Sequence, residues 1–243
     1  NAPPNYLPSW EERLQAVGDE NLMRSVQRSI GLQSLTGGFV PLIRAFQQSA
    51  ASNPDPTLAD LSARDTADWI AFARQNGVPK DVVGATDEER FKNYGRQVAM
   101  RVQLLHPTLF VQERIASDRI PVDTDLKGPI KKFLLANPAF RLKQTPLIAY
   151  SNSPDFSSGG LDDASVSTVS IELMKIERVA TLVPLLDYVG PVLSAGYDSA
   201  RSIVKQRSRV AFIAEMRDAV GGDEDAGQIY DAATGVAANT DAL

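Results

Sequence analysis

The sequence predicts an all-α protein, an irregular bundle of about ten helices with one extended loop segment. Three observations carry this prediction. Apolar residues return at steps of three and four along most of the chain, which is the spacing of one helix face. A serine or threonine followed three residues later by an acid stands ahead of such runs, as at Ser9–Glu12, Ser62–Asp65 and Thr86–Glu89. That spacing lets the side chains cap one another's orphan amides. Glycine and proline fall mostly between the runs, where helices stop and start.

The first helix is expected from the Ser9 cap to Gly18, and the second from about Asp19 with Leu22, Val26 and Ile30 inward. After Gly37-Gly38 a third carries Phe39, Leu42, Ile43 and Phe46 on one face. "SNPDPT" (Ser52 to Thr57) is turn chemistry. Behind Ser62 the apolar bulk is Trp69, Ile70 and Phe72, with Gly77 placed to end the helix. The Thr86 cap opens a long amphipathic helix with Phe91, Tyr94, Val98, Val102 and Leu105 on its face, and Pro107 ends it. Thr108 to Ser117 starts another. Pro129 suits a first helical position, with Ile130, Phe133 and Leu134 following. Phe140 to Gly160 lacks a helical period and reads as an extended loop with one short strand. Val166, Val169, Leu173, Ile176 and Ala180 restore the rhythm. Pro184 then starts a short helix through Val189, and further helices follow at Asp198, Ser208 and Asp223, the last two separated by Gly221-Gly222. Two regions follow from the turn signals: an N-terminal helical region over 3–50 and a larger helical module over 57–243, with a sub-lobe boundary near 121–128.

Composition narrows the function. The 243 residues are enough for a core that needs no staples. Cysteine is absent, which removes disulfides, thiolate nucleophiles and thiolate zinc sites. Lysine and arginine number 25 against 30 acids, a net charge of −5, and a phosphate backbone prefers basic surfaces. No stretch reaches the roughly 18 apolar residues of a membrane span; the most apolar, Val179 to Leu193, is broken by Pro184, Asp187 and Pro191. The start has no basic-then-apolar signal-peptide pattern, and Asn1-Ala2 ahead of "PPNYLPSW" reads as the remnant of a cloning scar on an excised segment of a longer chain.

The inventory of reacting groups is poor. His106 is the single histidine and stands beside Pro107 at a helix end, where an imidazolium favours the dipole. A serine triad or histidine metal cluster lacks partners. The acid groups Asp123 with Asp125, Asp162 with Asp163, and Asp223-Glu224-Asp225 fall at helix starts, where carboxylates suit the exposed amides. "DTDLKG" lacks the distal glutamate of a calcium loop. Neither glycine pair, Gly37-Gly38 nor Gly159-Gly160, has phosphate-loop spacing. No catalytic, cofactor or metal residue is assigned.

"LSAGYDSARSI" (Leu193 to Ile203) has two readings. A nucleic-acid hairpin would aim the amides after Gly196 at a phosphate and draw on Arg201, Lys205, Arg207 and Arg209. Asp198 would repel that phosphate, and the four cations do not share one helix face. A joint between packed helices needs a helix-ending Gly196, an N-cap at Asp198 or Ser199, and a buried Ile203. The joint is favoured.

Six segments, taken in order, resemble a known family. "LADLSARDTADW" with Trp69, "YGRQVAMRVQLLHPT" with Pro107, and "FLLANPAFRLKQTPL" with Phe133, Asn137, Pro138, Phe140 and Leu142 come first. "SIELMKIERVATLVPLLDYV" with Leu173, Lys175, Ile176, Glu177, Arg178, Val179 and Pro184 runs into "LSAGYDSARSIV" with Leu193, Gly196, Tyr197, Ser199, Ala200 and Ile203. "VGGDEDAGQIYDAA" with Gly221 and Tyr230 closes the set. Together they resemble the A component of bacterial insecticidal toxin complexes (Tc toxins), related to plasmid-encoded virulence A proteins, from about Leu58 to Ala233. Glu177 stands where that family usually has glutamine, and His106 where it has an aromatic residue.

The resemblance implies a non-enzymatic, structural and interaction role in the N-terminal helical shell of a very large homopentameric, pore-forming delivery subunit, secreted or attached to the cell surface. The implied partners are other domains of the parent subunit, its neighbouring subunits and a host-cell surface, with no cofactor, no nucleic acid and no membrane span in this segment. The acidic surface is expected to favour solubility and to supply charges that release a subunit interface when pH changes. The tyrosines and prolines of Phe140–Gly160 are expected to touch neighbouring parts of the parent.

Overall fold

The computed structural model describes residues 20–49 and 61–241. Among them are twelve α-helices, one 3₁₀ turn and no strand, so the all-α class holds. The helix expected from Ser9 to Gly18 lies outside the described residues. The chain divides into two compact units: of the described residues, 20–49 with 69–98 make up the first, and 61–68 with 99–241 the second. The segment 57–243 expected as one module is thus shared between both units, and 121–128 lies inside the second.

In the first unit α1 (Glu20–Thr36) and α2 (Val40–Ser49) are joined through Gly37-Gly38, both at positive φ. Leu32 and Leu35 rather than Ile30 face inward, and Ile30 is exposed. Phe46 meets Trp69 edge-on at 5.3 Å between ring centroids and stacks on Phe72 at 4.7 Å. Trp69 and Phe72 belong to α3 (Thr66–Asn76), and Tyr94 to α4 (Asp87–Leu105). The Tyr94 hydroxyl donates to the Thr36 carbonyl at 2.7 Å, capping the end of α1. Thr86 accepts from the Glu89 amide as expected, while Glu89 reaches the amide of Ala85, one residue before the cap.

The helix cap near Asp65 differs from expectation. Leu61 and Ser62 are still helical, and the reciprocal cap is made three residues later. The Asp68 amide donates to Asp65 and the Asp65 amide to Asp68, at 2.7 and 2.9 Å. The sequence Ser62-x-x-Asp65-x-x-Asp68 offers the spacing twice, and Ser62 is taken up in the protein interior.

The second unit packs α5 (Pro107–Ala116), α6 (Thr124–Ala136), α7 (Leu147–Ser151) and α8 (Asp163–Ala180) around one core. After a 3₁₀ turn over Leu186–Tyr188 come α9 (Val189–Ser194), α10 (Ala200–Gln206), α11 (Arg209–Met216) and α12 (Asp223–Asp241). Val169, Leu173, Ile176 and Val179 of α8 are its central stripe. Two corrections concern prolines. Pro129 sits inside α6, because the helix starts at Thr124 behind Asp123. Pro184 precedes the 3₁₀ turn rather than starting a helix that runs to Val189. A third correction concerns α4, where Leu105 is half exposed although Val98 and Val102 are buried.

Phe140 to Gly160 is not an extended loop. It folds into turns and the short α7, because Phe140, Leu142, Leu147 and Tyr150 are spent on the core. The Tyr150 hydroxyl donates to the Asp155 carbonyl within the same segment, and Tyr150 is buried. Pro146 and Pro154 of the same segment are exposed.

Candidate functional site

Two places in the second unit concentrate polar chemistry. The first is the turn around Gly196. α9 ends with the Gly196 amide donating to the Leu193 carbonyl at 2.9 Å and the Tyr197 amide to Val192 at 3.1 Å. With Gly196 at φ 86°, this is the paired closure that satisfies the last carbonyls of a helix. Ser199 then caps α10: the Ser202 amide donates to its hydroxyl, and the Ser199 amide to the Ser202 hydroxyl. Ala200 and Ile203 are buried, and Tyr197 meets Phe212 at 5.3 Å, which meets Tyr230 at 5.8 Å. The amides of Gly196, Tyr197 and Ser199 are therefore already occupied.

Nearby cations are also engaged. Arg207 and the Tyr197 hydroxyl both donate to Glu215, at 2.7 and 2.9 Å, and together they hold that carboxyl below its ordinary range. Arg209 makes a two-point pair with Asp231 across the α11–α12 contact. Arg178 reaches the Asp198 carbonyl at 3.4 Å, and Tyr230 donates to the Arg207 carbonyl at 3.2 Å. The structure therefore gathers Arg178, Gly196, Tyr197, Ser199, Ala200 and Tyr230 around one joint.

The other sequence-selected residues lie elsewhere. Pro107 opens α5, and its neighbour Thr108 donates to the Phe140 carbonyl at 3.0 Å and accepts the Leu142 amide at 3.1 Å. Asn137, wholly buried, ties Phe133 to Ser157 through three hydrogen bonds, while Pro138 beside it is exposed. Pro184 is half-buried between α8 and the 3₁₀ turn, Gly221 turns the chain into α12, and Trp69 belongs to the first unit. His106 follows α4 but also precedes the N-terminus of α5. Burial and the nearby Arg141 lower its pKa, so the dipole-stabilised imidazolium is not supported.

The chain matches no family. No curated protein and no solved structure matches it either.

The second place was not singled out from the sequence. Asp187, in the 3₁₀ turn, accepts on Oδ2 from the Thr66 amide at 3.0 Å, the Thr66 hydroxyl at 2.5 Å and Gln103 Nε2 at 3.0 Å. The Leu186 amide in turn donates to Gln103 Oε1 at 2.6 Å. Arg114 of α5, only 4% exposed, stands with Nη2 3.4 Å from Asp187 Oδ1. Its Nη1 donates to the Ala63 carbonyl at 2.9 Å and its guanidinium lies over the Phe110 ring, while Nε and Nη2 form no hydrogen bond. Arg119 pairs with Asp65 at 2.6 Å on the rim.

Burial raises the pKa of Asp187 and lowers that of Arg114, each against the pull of the other. For both partners the cost of leaving water outweighs their mutual attraction. An open cleft of about 400 Å³ lies beside the pair, walled by Ile120, Tyr188 and Pro191. A sequence signal existed for one member only: Asp187 is the single charge in the otherwise apolar run "VPLLDYVG", whereas Arg114 stands beside Glu113 in "LFVQERIA". The arrangement is an internally neutralised bracket. No reacting atom is singled out in it, and among the described residues no group of three or more acids or histidines is placed to hold a metal.

Proposed function

We propose that this chain is a non-enzymatic helical module, a piece of the shell of a large toxin-delivery subunit like the A component of Tc toxins. The observation that carries this reading is the use made of the resembling residues. Gly196 and Ser199 end and start helices, Tyr197, Ala200 and Ile203 fill the core, and Asn137 and Thr108 fasten backbone segments. Residues chosen by a rigid wall would be of this kind, whereas a reaction would select converging groups in a pocket. In this reading the partners are other domains of the same subunit, its neighbours in a homopentamer and a host-cell surface, and the protein acts outside the producing cell. No helix among the described residues is long and apolar enough to cross a membrane, so a pore would come from another region of the parent.

The test uses the parent protein. The complete reading frame around this segment, expressed and imaged by electron microscopy, is expected to yield a much longer chain assembled as a five-fold ring around a channel. A full-length product that stays monomeric, or lacks any pore-forming region, overturns the proposal.

A further inference from the structure

The segment Leu61–Asp68 lies on the second unit in an unusual way. Elsewhere in that unit helices are held by large buried side chains, such as Leu173 and Ile176 of α8. Between 61 and 68 the only wholly buried residue is Ser62, and no large apolar side chain is buried. Attachment is made instead by side chains reaching from three other elements. Arg114 donates to the Ala63 carbonyl, Arg119 to Asp65, and Asp187 receives both the amide and the hydroxyl of Thr66.

Polar ties of this kind contribute little net free energy, because water replaces them when they open. Apolar burial, which does not have such a substitute, is what makes a segment open only with the whole fold. Beneath the segment lies the guanidinium of Arg114, with two nitrogens unbonded and its carboxylate partner out of line for a hydrogen bond. Opening would give those nitrogens to water, so part of the cost of breaking the ties is returned.

We propose that residues 61–68 form a strap that undocks as one unit while the rest of the second unit stays folded, exposing the Arg114–Asp187 pair that it covers. The ties are coupled, since Asp65 and Thr66 are adjacent and the Asp65–Asp68 cap makes the turn stiff. Releasing one end releases the other. The strap is distinct from any role in a toxin shell and does not depend on it.

Per-residue hydrogen exchange on the intact chain tests this. Thr66, whose amide is bonded to Asp187 outside the strap, is the reporter; Leu173 and Ile176 in α8 are the references. After correction for intrinsic rates, Thr66 is expected to exchange at least about 100-fold faster than Leu173, through local opening. The variant Arg119→Gln removes a half-exposed side chain whose tie is to Asp65, whereas the Thr66 amide is tied to Asp187. Undocking as a unit predicts that Thr66 speeds up about 3- to 10-fold, although the lost tie is at Asp65, while Leu173 is unchanged. An unchanged Thr66 in that variant means independent fraying and overturns the proposal. So does a Thr66 amide that exchanges as slowly as Leu173 in the unaltered protein.

Discussion

The turn at Gly196 and the strap at Leu61–Asp68 both redirect the chain between helices, yet they are secured by opposite means. At Gly196 the backbone closes on itself, and Tyr197, Ile203 and Phe212 back the turn with buried apolar surface. At the strap the backbone depends on side chains of Arg114, Arg119 and Asp187, with two of these charges withdrawn from water. Local closure plus apolar backing makes a joint that survives the loss of any one polar partner. Remote polar closure makes a bracket that concentrates the risk on one carboxylate.

Removing that carboxylate should give the largest effect. Asp187→Ala leaves Arg114 buried without a counter-charge, and strips the acceptor from Thr66 and Gln103. A loss of about 3–5 kcal/mol in denaturant unfolding is expected. Combining Asp187→Asn with Arg114→Met keeps an acceptor for Thr66 and Gln103 and removes the stranded cation, so most of the loss should return. A double variant as unstable as Asp187→Ala would mean that the charge pair matters less than the shape it fills.

The joint can be probed through a second turn of the same closure. α5 ends with the Arg119 amide donating to the Arg114 carbonyl and Asp118 in the left-handed region at φ 61°. Asp118 thus occupies the position that Gly196 holds after α9. A Cβ at Gly196 meets no atom within 4 Å, so Gly196→Ala tests backbone strain alone and should cost about 1–2 kcal/mol. Asp118→Gly relieves that strain but frees the unfolded chain and loses the Lys127 pair, so it should change stability by less than about 0.5 kcal/mol. A harmless Gly196→Ala, read by thermal unfolding, would remove glycine from the account of the joint.

These contrasts also explain what the sequence could reveal. The α8 stripe and the Ser199 cap were legible because a period of three to four and an N-cap are local patterns. Gly196 was legible for the same reason. The bracket was hidden because Thr66, Gln103, Arg114 and Asp187 are brought together only by tertiary packing. The Ser62 cap was misplaced because two equal spacings overlap, and only burial of Ser62 separates them. Phe140–Gly160 looked like a free loop because its apolar residues lack a period, although irregular segments can bury side chains as well as helices do. The sub-lobe boundary near 121–128 followed turn chemistry, which marks chain reversals; the division into units follows contacts.

A smaller effect is expected at Glu177, which accepts the Leu147 amide through both oxygens, at 3.2 and 3.3 Å, and so caps α7 from α8. Burial raises its pKa above the ordinary 4.5, against the lowering effect of that hydrogen bond and of Arg178. The folded protein therefore holds this proton more tightly than the unfolded chain. Stability from this group is greatest below 4.5 and declines as pH rises through the folded value. Glu177→Gln keeps an acceptor without the charge. It should be slightly stabilising at neutral pH, by less than about 1 kcal/mol, and should flatten this part of the pH profile. A Gln variant whose pH profile overlays the original would show that the carboxylate is ionised alike in both states.

The smallest effect is expected from the cations beside Gly196. If this turn gripped a phosphate backbone, Arg201→Ala with Lys205→Ala would weaken duplex binding and reduce its dependence on salt. The Gly196 and Tyr197 amides, however, already donate to α9 carbonyls, and Arg207 and Arg209 are held by Glu215 and Asp231. Such a grip would have to break the helix end and two ion pairs before gaining any phosphate contact. The expected result is no duplex retardation at low salt for either the unaltered chain or the double variant. Binding that weakens steeply with added salt and is lost in the double variant would turn the joint into an interface, and would remove the contrast with the strap.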